Sequence, residues 1–446
     1  NKMMKRMKFS FLMILVVPTI LWLLADTLYP EPFTYFAFRK VFIQYSGVLA
    51  IILMSIVMIL ALRPKFIEPY FDGIDKIYKL HKWLGISAFL LGVLHWWFAK
   101  GTKWMVGWGW LEKPVKTPSN EVLGTIEAWF KTQKGLSESV GEWAFYIMVI
   151  LIFIALIKKI PYHWFVKSHK IFALVYIALV YHTIILTKIG YWSEPIGLLL
   201  IVMIVFGTIA AFISLFKKIG NSRKSQAKIV DLVEYPKLKI LETTLLLDDT
   251  WKGHKAGQFA FVTSNKKEGH HPYTIASSWD KNDKKMTFIT KALGDHTSRL
   301  KDTLKIGMNV EVEGPYGCFD FGDDKKLHIY IGAGIGVTPF IARMNDLEKN
   351  PNDKTIHFFH STSKPDDEFL ENLKEDVKNS NVNLHLFVSK IDERLSSEKI
   401  KELVPNWQNS SIWYCGPLKF GQSLREDFVS SGLNPEDFHQ ELFEMR

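Results

Sequence analysis

The sequence predicts a multidomain chain. A six-helix transmembrane bundle is expected over residues 1–220, an antiparallel β-barrel over 221–322 and a doubly wound α/β domain over 323–446. Three observations carry this. Six apolar stretches approach the ~20 residues that a bilayer crossing needs. Charge divides between the halves: residues 1–220 hold 24 Lys+Arg against 11 Asp+Glu, whereas 221–446 hold 31 against 34, so the net +10 belongs to the first half. Past residue 220 the apolar runs become short strands with turn signals, then strands alternating with helices. Such a chain, 48% hydrophobic with only 2 Cys, is a poor fit to disorder, to a disulfide-stapled secreted scaffold and to a nucleic-acid binder.

The expected spans are Phe9–Leu28, Phe42–Leu62, Trp83–Ala99, Trp143–Ile157, Ile171–Thr187 and Pro195–Phe216, the fourth being short. The first follows Lys2, Lys5, Arg6 and Lys8 as a signal peptide would. Its apolar run is too long and lacks a small-residue cleavage site, so it reads as a retained helix. Basic residues in the N-terminal cluster, in Arg63–Lys82, in Lys158–Lys170 and in Lys217–Lys224 place these four segments on the cytoplasmic side. The N-terminus and both later domains are then cytoplasmic and the bilayer is a cell membrane. The 99–141 loop is assigned outside despite six Lys, balanced by five acids from Glu112 to Glu142. Trp96, Trp97, Trp104, Trp108 and Trp110 form an expected aromatic belt there.

Five of the 14 histidines lie in the first half, and four of them fall on the third and fifth spans. His81 and His95 are 14 residues apart and His169 and His182 are 13 apart, each about 20 Å along a helix. Both helices run the same way under this topology, so the four make two pairs, one near each face. A lone histidine at a span end is more often interfacial. Ionisable residues inside spans are nonetheless costly and point to function, and two pairs at two depths suit two bis-histidine haems b, with His81, His95, His169 and His182 as metal ligands. One feature resists. At ~100° per residue, 14 positions return to the same face but 13 miss it by about 140°, so the fifth helix requires a distortion. His163 is read as solvated.

The spacings His-x13-His and His-x12-His resemble the ferric reductase and NADPH oxidase superfamily, in its bacterial oxidase-like branch. Downstream, strands are expected at Lys228–Val233, Leu238–Leu247, Gln258–Thr263, Met286–Thr290 and Asn309–Glu313. His271-Pro272-Tyr273-Thr274 resembles the flavin motif of ferredoxin-reductase-type proteins, with Tyr in place of the oxidases' Phe. The resemblance implies FAD, with Tyr273 packed near the flavin, Thr274 bonded near N5 and His271 close to the phosphates or ribityl chain. It also implies that the turn around Gly294, with Thr297, binds the pyrophosphate, and that Gly314-Pro315-Tyr316-Gly317 closes the barrel.

Strands are then expected at Leu327–Ile331, Thr355–His360, Val382–Ser389 and Ser411–Cys415, with helices from Thr338, Asp366, Ser396 and Lys419. The first turn reads Gly332-Ala333-Gly334-Ile335-Gly336-Val337-Thr338-Pro339. Its glycines let the backbone approach a pyrophosphate at a helix N-terminus, and the pattern is similar to that of ferredoxin-reductase-type proteins. A strand-end Cys is usually a small buried hydrophobe. The resemblance places Cys415-Gly416-Pro417 against the nicotinamide, as positioning residues, and Phe443 on the isoalloxazine face. Catalytic roles accordingly fall to Thr274, Cys415 and Phe443.

The implied function is a transmembrane oxidoreductase passing electrons from NADPH (or NADH), through FAD and two haems, to an acceptor outside. O2 giving superoxide leads, with a ferric-chelate reductase and an electron-donating subunit for an extracytoplasmic protein as alternatives. Ser361, Thr362, Ser363, Lys364, Lys390 and Arg394 offer partners for a 2′-phosphate, where relatives that prefer NADPH often carry an Arg. Ala99 stands where animal oxidases carry a His, and Arg39 is available to a haem propionate or an acceptor.

Overall fold

The computed structural model describes residues 2–112, 124–157, 160, 162–216, 218–266, 268–363, 366–389, 392 and 394–441. They form two compact units. One comprises Arg6–Pro64 and Ile77–Ile219; the other is built chiefly from Lys65–Lys76 and the described residues from Gly220 onward.

The first unit contains six helices long and apolar enough to span a membrane: Arg6–Ala25, Tyr35–Ala61, Ile74–Gly107, Thr125–Leu156, Trp164–Leu186 and Pro195–Leu215. Thr34 caps the second, its hydroxyl accepting from Ala37 N at 3.2 Å, and Pro195 opens the last, where a missing N–H costs nothing. Trp22, Ile52, Tyr176, Leu200 and Ala211 pack the interior, while Leu24, Leu198 and Phe206 point outward. An apolar exterior with every helical backbone group bonded internally is what hydrocarbon demands. The buried hydroxyls of Ser55 and Tyr176 satisfy one another at 2.8 Å.

Two expectations are corrected here. The fourth span is not short: its helix begins at Thr125, 18 residues before the apolar stretch. The described part of the 99–141 region is largely helical, since the third helix runs on to Gly107 and the fourth begins at Thr125. Helical hydrogen bonds form whatever the side chains, so an apolar run marks the buried part of a helix and not its ends. Lys113 and Lys116 lie outside the described residues. The third helix also contains a π turn over Trp97–Gly101.

In the second unit β1 (Lys224–Tyr235), β2 (Ile240–Leu247), β3 (Phe259–Asn265), β4 (Gly269–Thr274), β5 (Lys285–Lys291) and β6 (Asn309–Tyr316) form an antiparallel sheet in the order β4-β3-β6-β1-β2-β5. Its edge strands meet at an Ile275–Phe288 bridge, with Ala276 N on Thr287 O at 2.7 Å, which closes the barrel. The remaining strands, β7 (Leu327–Ala333), β8 (Thr355–Thr362), β9 (Asn383–Val388), β10 (Ser410–Cys415) and β11 (Phe438–Gln440), make a parallel sheet in the order β11-β10-β7-β8-β9. The chain winds outward through β7, β8 and β9, then returns to lay β10 on the other side of β7. Such a reversal leaves a crevice at the strand ends, the usual ligand position in this architecture.

Candidate functional site

In the membrane unit the four span histidines come together as two pairs. The ring centres of His81 and His169 are 6.0 Å apart and those of His95 and His182 6.2 Å. Two imidazoles bound to opposite sides of one metal ion, each nitrogen ~2.0–2.1 Å from it, would place their centres roughly 6.3 Å apart. Each pair therefore has room for one metal ion and the wrong spacing for direct stacking.

Neighbouring helices fix three of the four rings. His81 Nδ1 donates to Val57 O at 3.0 Å, His95 Nδ1 to Ile43 O at 3.0 Å, and His182 Nδ1 to Ser137 O at 2.8 Å. Each bond puts the proton on Nδ1 and leaves the Nε2 lone pair for a metal. His169 is held differently, with Phe165 and Phe172 at 4.9 and 5.0 Å from its ring centre. The distortion that the 13-residue spacing requires is present next to His169. The regular helix ends at His169 and restarts at Ile171, with Ala173 N reaching Lys170 O at 3.2 Å in a tighter turn.

Two glycines that the sequence reading missed make space for the second pair. A Cβ on Gly141 would stand 2.1 Å from His182 Nδ1, and one on Gly47 3.1 Å from His95 Cε1. Arg39 is engaged in structure. Its Nε donates to Phe98 O at 2.7 Å and its NH2 to Ala99 O at 3.1 Å. It thereby satisfies carbonyls of the π turn that follows His95.

In the second unit β4 carries His271, Pro272, Tyr273 and Thr274, paired in register with β3 so that Thr274 faces Phe259 and His271 faces Val262. The His271 ring lies flat on His296, 3.6 Å between centres and 7° between planes. His296 Nδ1 bonds the Glu268 carboxylate, which also takes Arg299 at 3.0 Å. Burial first, then the neighbouring His296, pushes His271 down to about 4, so it is neutral at pH 7. The Thr297 hydroxyl oxygen accepts from Leu293 N and Gly294 N at 3.0 and 3.1 Å. Thr297 thus closes the Gly294 turn that starts the helix Asp295–Thr303. His296, Glu268 and Arg299 were not singled out from sequence; only the adjacency of His296 to Thr297 hinted at them.

The two glycine motifs meet at the crevice between β7 and β10. Gly332 and Cys415 are register partners, and a Cβ on Gly336 would stand 2.2 Å from Cys415 O. Gly334 has φ +58° and open space where a side chain would be, which exposes its backbone to a ligand. Thr338 Oγ1 donates to Ile335 O at 2.8 Å and Pro339 opens the helix Thr338–Lys349. Pro417 O receives the Tyr414 hydroxyl at 2.8 Å, which fixes the turn through Gly416. A cleft of about 520 Å³ runs from Gly334 and Pro417 past His360 to Ser361, Thr362, Ser363 and Arg394. Phe443, Lys364 and Lys390 lie outside the described residues. Cys415 is buried, and burial followed by the Glu441 carboxyl raises its thiol well above the usual range, so it is no nucleophile. Glu441 itself is buried beside it, and burial, then Asp75, holds its carboxyl well above the ordinary range.

Comparison with known proteins covers both units. Residues 46–180 match the family described as ferric reductase like transmembrane component, and residues 233–358 match an FAD-binding domain family. Flavohemoprotein B of Dictyostelium discoideum is 26% identical over 173 residues, 35% of this chain and 41% of that protein. The glycine betaine monooxygenase reductase subunit of Chromohalobacter salexigens is 25% identical over 159 residues, 32% of this chain and 43% of that one. The chain therefore spans about two-fifths of the length of these curated relatives. Among solved structures, the Amycolatopsis cytochrome P450 reductase GcoB aligns at TM-score 0.44 and 20% identity, over 50% of this chain and 70% of its own. The chain thus joins a ferric-reductase-like transmembrane domain to an FAD-binding domain, the ferric reductase/NADPH oxidase-like architecture, in a protein with six helices long and apolar enough to span a membrane.

Proposed function

We propose that this protein takes electrons from NAD(P)H on the cytoplasmic side and delivers them across the membrane to an acceptor on the other, with O2, reduced to superoxide, as the leading acceptor. The observation that carries the reading is the two histidine pairs, 6.0 and 6.2 Å between ring centres, on two helices of a six-span unit. His81 with His169 and His95 with His182 would each hold one haem b. FAD would be held by β4 and the Gly294 turn, and the nicotinamide nucleotide by the crevice between β7 and β10. When bound, FAD would accept a hydride and release single electrons, and the haem irons would carry them across the bilayer.

The residues bind, orient and exclude. His271, neutral and stacked on His296, would present an imidazole edge and not a positive charge toward the flavin phosphates. Gly332, Gly334 and Gly336 bring backbone N–H groups to the nucleotide pyrophosphate, and Cys415, Gly416 and Pro417 form the wall behind the nicotinamide. Ser361, Thr362, Ser363 and Arg394 at the far end of the cleft supply hydroxyl donors and a cation for a 2′-phosphate, which favours NADPH. Beyond the His95–His182 pair Arg39 is spent on backbone carbonyls, and Ala99 offers no proton. Electron transfer there needs only approach of an acceptor, and that also supports ferric-chelate reduction.

Steady-state assays with NADH and NADPH separate the acceptors. Reporter reduction abolished by superoxide dismutase supports O2. Anaerobic reduction of a ferric chelate, with no superoxide signal in air, supports the second reading. Activity only with an added extracytoplasmic protein supports a donor subunit, and no NAD(P)H oxidation with any acceptor contradicts the proposal.

A further inference from the structure

Lys65–Lys76 runs from the end of the second span into the first turn of the third helix, yet it groups with the second unit. Its helix Glu68–Phe71 places the buried Glu68 so that Oε1 accepts from Gly317 N at 2.7 Å, just past the end of β6. Eight residues on, Lys76 is 3% exposed. Its Nζ lies 3.0 Å from Asp75 Oδ2 and 3.3 Å from Gln440 O, the last carbonyl of β11. Glu441 follows, with Oε1 3.1 Å from where a Cβ on Gly317 would stand. One short segment thus grips both the closing turn of the barrel and the strand that enters the C-terminal segment.

Surface loops do not normally bury charges, because an ammonium taken out of water is costly unless it is paired and bonded. Here Lys76 faces Asp75, Asp72 and Glu441, and Glu68 faces Gly317 N–H and Arg223. Gly317 has φ +102° and Glu441 reaches toward the space a side chain would fill. Removing the ammonium would leave the buried Asp75 without its ion-pair partner and the Gln440 carbonyl without its donor. Gln440 is the register partner of Tyr414, the residue before Cys415, so displacement of β11 is felt where the nicotinamide is proposed to sit.

We propose that Glu68 and Lys76 are positioning residues of the nicotinamide–flavin site: the Lys65–Lys76 segment clamps the barrel at Gly317 and the C-terminal strand at Gln440. The inference rests on the reading of the β7–β10 crevice as the nicotinamide site.

The test uses the full-length, FAD-loaded protein, with Lys76→Met, Lys76→Arg, Glu68→Gln and, as control, Phe66→Ser, whose side chain is 82% exposed in the same segment. Flavin bleaching by NAD(P)H is followed by anaerobic stopped flow across nucleotide concentrations, with FAD content and melting temperature measured alongside. Misplacing reacting groups by an ångström costs on the order of 10²-fold. Lys76→Met and Glu68→Gln should therefore slow bleaching at saturating nucleotide by tenfold or more at unchanged FAD content. Lys76→Arg should recover most of the rate, and Phe66→Ser should match the parent. Parent-like bleaching in both Lys76→Met and Glu68→Gln overturns the inference. So does a loss of rate that follows only lost FAD or lowered melting and that Lys76→Arg does not rescue. If the parent protein itself fails to bleach, the nucleotide-site reading has failed, which is a separate result.

Discussion

At the scale of single residues, the histidine pairs depend on atoms that are missing. Gly141 is the plainest case, because a Cβ there would lie 2.1 Å from His182 Nδ1, where the ring donates to Ser137 O. Gly141→Val should push the ring off that carbonyl and remove one of two haems, leaving the His81–His169 pair loaded. Pyridine haemochrome quantification checks this, and two haems per chain in the variant would contradict it. The four histidines were legible in the sequence because ionisable residues are scarce in apolar spans. Gly141 and Gly47 were not, since a glycine's role is set by what approaches it from another helix. Arg39 was noticed as a lone cation near a span start, but its partners, the Phe98 and Ala99 carbonyls, exist only because the third helix loosens into a π turn.

At the scale of elements, the parallel sheet was almost fully legible. Turns rich in glycine and alternating strand and helix patterns placed β7 to β10 within a residue or two, since fully buried strands read as short apolar runs. The membrane helices were legible in number but not in length. Thr125–Leu156 outruns its apolar stretch because its first half is polar and needs no bilayer. The break at Lys170 was required by the 13-residue spacing, though its form was not. At the C-terminal ends of the parallel neighbours β7 and β10, Gly336 allows the two motif turns to touch. Gly336→Ala would press a methyl to 2.2 Å from Cys415 O, an overpacking that typically costs about 1–3 kcal/mol. Nucleotide affinity should fall at least tenfold while FAD content is kept, measured by NADP+ titration of the flavin spectrum; parent-like affinity would contradict the crevice assignment.

At the scale of the whole molecule, the division of charge reported a division of solvent. The positive half holds the six apolar helices, and the nearly balanced half holds the two sheets, among whose buried histidines His254 should make stability depend on acid. His254 donates through Nε2 to Ser277 O at 2.9 Å, and burial pushes it down to about 4. Unfolded, it titrates near ~6.5. Between these values the unfolded chain binds the extra proton, so its contribution is fully present above ~6.5 and is lost as pH falls toward 4. His254→Gln retains a donor for Ser277 O and should narrow the gap in reductase melting temperature between pH 7 and pH 5; an unchanged gap would show that His254 is not a source of it.

The proposed route carries NAD(P)H electrons to two bis-histidine haems in one chain. The direct measurement is anaerobic addition of NADPH or NADH to the purified, FAD-loaded, full-length protein while the haem α and Soret bands are followed. Two haems b per chain are expected, both reduced by the nucleotide. His95→Ala or His182→Ala should leave one haem still reducible, and His81→Ala or His169→Ala should abolish nucleotide-driven reduction of any haem that remains. A chain that bleaches its flavin yet binds no haem, or whose haem content is indifferent to all four histidines, would contradict it.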